Sequence, residues 1–245
     1  MPKLENYKNN ASSYGFSAVS LGDLTGTTEY TLVTIAVDKS GSVDGFNTNI
    51  NSAVAEVVEA CRNAPRADNL LIRVVEFDNR LEELHGFKKL LDCNPSDYTD
   101  STMMAPRGST ALFDASLNSV ESTINLGKDL TKQDYDVNAL VVVITDGADN
   151  ASNTTAKMVA KTIADAKKQE SLESILSILV GVGVAGSSIS SVLDNFKTEA
   201  NFDQYVPLED AKKNTLSKLA KFISKSITSQ SKALGSGTVS NTLTF

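Results

Sequence analysis

The chain of 245 residues contains no tryptophan, a single histidine and two cysteines. One histidine excludes a histidine-rich metal site within one chain. Cys61 falls in a helical pattern and Cys93 in a polar connection, and nothing in their setting suggests a bridge. Two isolated cysteines of this kind read as reduced thiols. Positive charge is also in short supply. Lys and Arg number 23 against 30 Asp and Glu, a net charge of −7 and a pI of about 4.8. A nucleic-acid partner, which calls for a basic footprint, is therefore not expected. No apolar stretch approaches the ~18–20 residues of a membrane span. The first residues, MPKLENYKNNASSYG, lack the apolar core of a signal peptide. The expectation is a cytoplasmic protein with no membrane partner.

What is present is ordinary for a globular protein: 41% hydrophobic and 22% charged residues. The length allows one sizeable domain. YTLVTIAVD (30–38) is the first strong strand. Phe46, Ile50, Ala53, Val54, Val57 and Cys61 then recur at helical spacing, until Pro65 stops the helix. LLIRVVEFD (70–78) reads as a strand and LEELHGFKKL (81–90) as an edge strand returning beside it. Leu112, Phe113, Leu117, Val120 and Ile124 form a helical stripe. ALVVVITD (139–146) is an unbroken apolar run, the mark of a parallel strand covered on both faces. A helix (154–170), a strand (174–183), a helix (188–200), a short strand at QYVPL and a last helix (209–230) follow. Strands alternating with helices predict an α/β fold. We expect a Rossmann-like, doubly wound, mainly parallel sheet with helices on both faces and one antiparallel edge strand.

The stretch TIAVDKSGSVDGF (34–46) poses the functional question. Asp38, Ser40 and Ser42 occupy every second position at the carboxyl end of a strand, where ligands of α/β sheets bind. A straight segment would spread them over roughly 13 Å, too far for one ion whose oxygen ligands lie at about 2.1 Å. The segment must curl, and Gly41 is the residue that would permit it. Two further segments offer oxygens. Asp146 ends the strand ALVVVIT, and Thr110, in RGSTALFDA, lies just before a helix. Two carboxylates and three hydroxyls make a hard oxygen set that suits Mg²⁺, or Mn²⁺, rather than Zn²⁺. Two negative charges would balance the ion and leave it able to attract one more carboxylate.

DKSGS reads as DxSxS, followed by the separated Thr110 and a strand-ending TDG. Over residues 30–230 this pattern resembles the von Willebrand factor type A domain with its metal-ion-dependent adhesion site (MIDAS), in particular intracellular bacterial members. The resemblance implies a Rossmann-like fold with Ser40, Ser42 and Thr110 as hydroxyl ligands. Asp38 and Asp146 would hold the ion directly or through waters, and an Asp or Glu of a protein partner would complete the shell. It also implies a non-enzymatic binding module in a bacterial stress, signalling or ATPase-linked assembly. Many relatives carry Met where this chain has Val43, a position of packing rather than coordination. Residues 1–29 would be a polar extension with a short strand, and 231–245 a tail with another.

Blander readings stand beside these. Asp38, Ser40 and Ser42 could simply cap the following helix, and Asp44 is expected to cap it. Asp114, one turn beyond Thr110, either orients Thr110 or a metal-bound water, or is an ordinary surface carboxylate. Asp149 and Asn150 read as loop residues. GVGVAG (181–186) matches GxGxxG between a strand and a helix, but suits a tight strand exit equally well. The rival class is a Mg²⁺-dependent nucleotide-binding or phosphoryl-transfer enzyme. Against it, there is no Walker loop, and Ser40 stands where a DxD nucleophile pattern needs Asp. His85 reads as an edge-strand residue with no nucleophile to serve. Lys212, Lys213, Lys218, Lys221 and Lys225 read as the solvated face of the last helix. FSAVSL (16–21) and TVSNTLTF (238–245) both alternate. They could pair with each other at a common edge, or with a second molecule to give a homo-oligomer.

Overall fold

The computed structural model describes residues 3–24, 26–168, 172–238 and 242–245. Among these, the strands are β1 (Leu4–Tyr7), β2 (Phe16–Val19), β3 (Glu29–Asp38), β4 (Leu70–Phe77), β5 (Leu81–Lys89), β6 (Asp136–Thr145), β7 (Ser174–Gly181) and β8 (Gln204–Pro207). The helices are α1 (Asn47–Arg62), α2 (Leu112–Thr131), α3 (Ala156–Lys168), α4 (Ser188–Glu199) and α5 (Lys213–Ser236). The strands form one sheet in the order β1-β2-β5-β4-β3-β6-β7-β8. Neighbours from β4 through β8 are parallel, as the α/β reading requires.

The central strands are buried along their length because both faces are covered. Leu32 and Ala36 of β3 point into the core under α2, α3 and α4. Val33, Ile35 and Val37 point into the core under α1 and α5. That alternation is the period of a strand. On α5 the lysines at 212, 213, 218, 221 and 225 are exposed while Leu216, Leu219 and Ile223 are buried, which is the solvated face expected.

β5 runs antiparallel to β4, as predicted, but it is not the edge of the sheet. β2 lies beside it in parallel, with Ala18 opposite Phe87, and β1 closes the sheet antiparallel to β2. The approach is close: a Cβ on Gly86 would stand 2.1 Å from the Ser17 carbonyl oxygen. The polar segment between β1 and β2 is tied down by Glu121 of α2. This buried carboxylate accepts the backbone N–H groups of Asn10, Ala11 and Ser12 at 2.7, 2.8 and 2.7 Å. Asn118 of α2 adds a bond from its side-chain amide to the Tyr14 carbonyl, 2.9 Å.

Among the described residues the two ends of the chain do not pair. α5 closes on Gly237, whose φ of 63° is the left-handed cap that glycine adopts freely. Residues 239–241 lie outside the described residues, and 242–245 form no strand. Leu243 accepts a bond from the Gln204 side chain at 3.1 Å, and Phe245 meets Phe222 of α5 edge-on at 5.5 Å. The tail thus packs at the β8 side, across the sheet from β2. Leu243 is partly buried against the core under α1 and α5, while Phe245 stays exposed.

Replacing Glu121 with Ala leaves three backbone donors without their acceptor, so we expect a stability loss of about 1–3 kcal/mol. Hydrogen exchange at residues 10–17 should accelerate well before the central strands are affected. Unchanged protection of that segment would show that Glu121 does not hold it.

Candidate metal centre

The site begins with strand register. β3 and β6 pair in parallel with Val37 opposite Ile144, so Asp38 and Thr145 end their strands side by side. Asp38 is fully buried there. One oxygen, Oδ2, accepts the Thr145 hydroxyl at 2.6 Å, and the other, Oδ1, accepts the Ser40 backbone N–H at 2.7 Å. The chain then curls, as the expected ligand geometry demands, into a short 3₁₀ turn over Gly41–Gly45. The curl does not depend on a left-handed glycine at position 41. That conformation falls instead on Gly108, φ 68°, whose carbonyl accepts the Gly41 N–H at 3.2 Å. Asp44 does not cap α1: the cap position is Phe46, with no side-chain bond. Val43 is buried in the core, the packing role expected of it.

The turn brings Ser40 Oγ to 3.1 Å from Ser42 Oγ, and the Ser42 hydroxyl donates to Asp146 Oδ1 at 2.8 Å. Asp38, Ser40, Ser42 and Asp146 are therefore linked at one end of the sheet. Thr110 reaches the same end through the segment after Asp146. It is buried, its N–H donates to Asn150 Oδ1 at 2.7 Å, and its carbonyl accepts the Asn150 N–H at 3.0 Å. Its hydroxyl oxygen lies 3.7 Å from where a Cβ on Gly147 would stand.

The electrostatics leave a positive charge wanting. Burial pushes the Asp38 carboxyl up to about 6; the bonds from Thr145 and Ser40 pull it down, and the nearby Asp146 charge raises it further. Burial likewise raises Asp146, against the bond from Ser42. Among the described residues no ion pair includes either carboxylate. Adjacent corners of an octahedron of oxygens at about 2.1 Å are separated by about 3.0 Å. The Ser40–Ser42 and Ser42–Asp146 separations of 3.1 and 2.8 Å match that edge. The donors present thus fit a hard divalent cation. No group of three or more His, Cys, Asp or Glu suited to a metal occurs among the described residues, so hydroxyls must carry much of any coordination here.

Several contributors escaped the sequence reading. Lys39, between Asp38 and Ser40, is fully buried on the opposite side of the strand. Its ammonium donates to Asn47 Oδ1 at 2.6 Å and Asn51 Oδ1 at 2.5 Å and faces Glu76 at 3.7 Å. Burial brings its pKa down to about 8, with Glu76 and Asp100 opposing that shift. Asn47 and Asn51 sit four apart on the first turns of α1, a spacing that could have signalled a shared partner. Asp114 neither orients Thr110 directly nor lies on the surface. It is buried and accepts the N–H groups of Asn153 and Thr154 at 3.1 and 2.9 Å. Asp149 accepts from the Phe113 N–H at 3.2 Å and from the Ser152 hydroxyl at 2.5 Å.

The two remaining motifs lie elsewhere. In GVGVAG the N–H groups of Val184 and Ala185 are bonded to the Leu208 carbonyl at 3.0 and 3.1 Å, so the turn joins β7 to the end of β8. His85 is held by the Gly86 carbonyl and the Tyr98 hydroxyl at 2.9 and 2.8 Å, and burial lowers its pKa to about 4.

No family model matches the chain, and no curated protein matches it by sequence. Solved structures do resemble it. The D319A mutant of the PilB minor pilin from Streptococcus sanguinis aligns with a TM-score of 0.59 at 14% identity, covering 89% of this chain and 65% of the pilin. The pilus adhesin SpaC from Lactobacillus rhamnosus GG aligns at 0.60 and 10% identity, covering 92% and 34%. Proximal thread matrix protein 1 from the mussel byssus, solved with a zinc-occupied MIDAS motif, aligns at 0.51 and 18% identity, covering 81% and 46%. The chain spans less than two thirds of each of these proteins. At such identities the likeness is one of fold, and it supports a von Willebrand A-like α/β architecture.

A pH prediction follows for metal-free protein kept in chelator. The folded-state pKa of Asp38 lies above the ordinary 3.8, so the native state holds the extra proton between pH ~4 and ~6. Stability from this group is present below pH 4 and lost as pH rises through 6, by roughly 3 kcal/mol if the shift to about 6 is expressed in full. Asp38→Asn should remove that slope and raise the apo melting temperature at pH 7. The same slope in both proteins, measured by denaturant titration, would contradict it.

Proposed function

We propose that this chain is a non-enzymatic, divalent-metal-dependent protein-binding module. The observation that carries the reading is the bonded cluster Asp38–Ser40–Ser42–Asp146, at the carboxyl ends of two parallel strands, with no ion pair to either carboxylate among the described residues. Ser40, Ser42 and Thr110 would offer neutral hydroxyl ligands, and Asp38 and Asp146 would hold the ion directly or through waters. When bound, the cation supplies a Lewis-acidic position that accepts an Asp or Glu of a protein partner. Mg²⁺ suits an oxygen-only donor set, with Mn²⁺ a close substitute. The MIDAS motif of the mussel byssus protein, crystallised with zinc, supports a divalent ion in a fold of this kind.

The residues of the chain do the rest by positioning. The register lock between Asp38 and Thr145 fixes the first carboxylate. The Gly41–Gly108 backbone bond and the buried Lys39 hold the turn that carries both serines. Lys39 also keeps its ammonium bonded to Asn47, Asn51 and Glu76, out of ion-pair contact with Asp38, whose charge it feels only at longer range. Cys61 and Cys93 are both buried and free. Among the described residues, no helix is long and apolar enough to cross a membrane.

Titration with Mg²⁺ and Mn²⁺ in a calorimeter tests the reading. One site per chain is expected, with a melting temperature that rises with ion concentration. Ser40→Ala and Asp146→Ala should each abolish metal-dependent capture of a partner. Ser40 is buried and Asp146 partly buried, but Ser40→Ala removes one hydroxyl oxygen and Asp146→Ala a carboxylate at the sheet end, so stability should change by less than ~2 kcal/mol. Partner capture by the folded Asp146→Ala protein equal to wild type, or capture insensitive to chelator, would overturn the proposal.

A further inference from the structure

The site segments are not fastened to one another evenly. The first, Asp38–Ser42, is tied to residues 107 and 108: the Arg107 N–H donates to the Lys39 carbonyl at 2.8 Å, and the Gly41 N–H to the Gly108 carbonyl at 3.2 Å. Two residues further on, the attachment changes. From Thr110 to Asp114 the chain is fastened mainly to the segment that follows Asp146; the exception is the Ala111 N–H, which donates to the Asp78 carbonyl at 2.8 Å. Asn150 makes a reciprocal pair with Thr110, its side chain accepting the Thr110 N–H and its own N–H donating to the Thr110 carbonyl, at 2.7 and 3.0 Å. Asp149 accepts the Phe113 N–H at 3.2 Å, and Ser152 the Asp114 N–H at 3.0 Å. Asp114 returns two bonds to Asn153 and Thr154. Left-handed Gly108 stands at the changeover.

This pattern gives Asn150 a task of its own. Thr110 is the one expected hydroxyl ligand that makes no direct side-chain bond to the Asp38–Ser40–Ser42–Asp146 cluster in the hydrogen bonds above. Its placement relative to Asp146 comes instead through the four-residue stretch ending at Asn150. Asn150 is the residue of that stretch that grips Thr110 on both sides of its Cα. Groups that orient ligands without touching the metal commonly matter 10–100-fold to affinity.

We infer that Asn150 is a positioning residue of the metal site: it fixes Thr110 relative to Asp146 and acts on the ion only through Thr110. This rests on the metal-binding reading above. Its bond acceptor is the side-chain oxygen, so Asp at position 150 preserves the grip on the Thr110 N–H while Ala removes it.

The test uses Mn²⁺ alone as probe, followed by loss of the free-ion paramagnetic resonance signal, on wild type, Asn150→Ala, Asn150→Asp, Thr110→Ala and the Thr110→Ala/Asn150→Ala double variant. Metal-free circular dichroism establishes that each is folded. We expect Asn150→Ala to weaken Mn²⁺ binding by about 10–100-fold, and Asn150→Asp to bind within a few-fold of wild type or more tightly. In the double variant, loss of Asn150 should add nothing to the loss from Thr110→Ala. If Asn150→Ala does not fold, Asn150→Gln, which moves the acceptor by one methylene, takes its place with the same expected loss. Wild-type binding that survives in Asn150→Ala, full additivity in the double variant, or unfolding of both Ala and Gln variants would overturn the inference alone. A wild-type protein that takes up no Mn²⁺ would overturn the metal reading beneath it.

Discussion

The register of β3 against β6 is the constraint on which the upper end of the molecule depends. It sets Asp38 beside Thr145, and the 2.6 Å bond between them is the last rung of that ladder. A slip of one residue would exchange the faces of every side chain in β3. Asp38 would then point toward α1, and Lys39 would occupy the place where the carboxylates gather. The hydrophobic alternation of Val33, Ile35 and Val37 against Leu32 and Ala36 makes such a slip costly along the whole strand. The core thus sets the register on which the polar bonds of the site are built.

The same alternation separates charge. Asp38 and Lys39 are neighbours in sequence, yet they face opposite sides of the sheet end. Were they on one side, they would neutralise each other and the carboxylates would need no cation. Lys39 is instead satisfied by two asparagine oxygens and Glu76, and the asparagine side chains pass the connection on to Asp100 at 2.7 Å from Asn51 and 3.3 Å from Asn47. A buried ammonium so fully bonded fixes the entry of α1 against the loop that precedes Arg107. What it leaves behind is a pair of carboxylates raised by burial.

Much of this was legible from residues alone. Asp38 and Asp146 stood out because each ends an apolar run, and a strand's carboxyl end in an α/β sheet is where chemistry collects. Ser40, Ser42 and Thr110 followed from the need for further oxygen ligands. Other parts were not legible because their partners are far away in sequence. Glu121 serves residues 10–12, and Asn150 serves Thr110; neither pairing leaves a periodic trace. Lys39 drew no reading from the sequence, since burial of an isolated lysine is rare. Gly41 drew the role of the flexible joint by its position inside DKSGS, whereas the left-handed backbone falls on Gly108.

The bonds among the three segments bear on how the site could discriminate between ions. Fixing a residue's backbone costs about 1–2 kcal/mol, and here that cost is met on folding, by bonds that exist without any ion. Ser42 Oγ already stands at octahedral-edge distances from Ser40 Oγ and Asp146 Oδ1. A small cation that accepts this spacing meets little further ordering cost. A larger one, with oxygens at 2.3–2.6 Å as for Ca²⁺, would have to spread donors that Gly108, Lys39 and Asn150 hold in place. Selectivity for the smaller ion would then come from the stiffness of the loops, while the ligand chemistry alone would accept either.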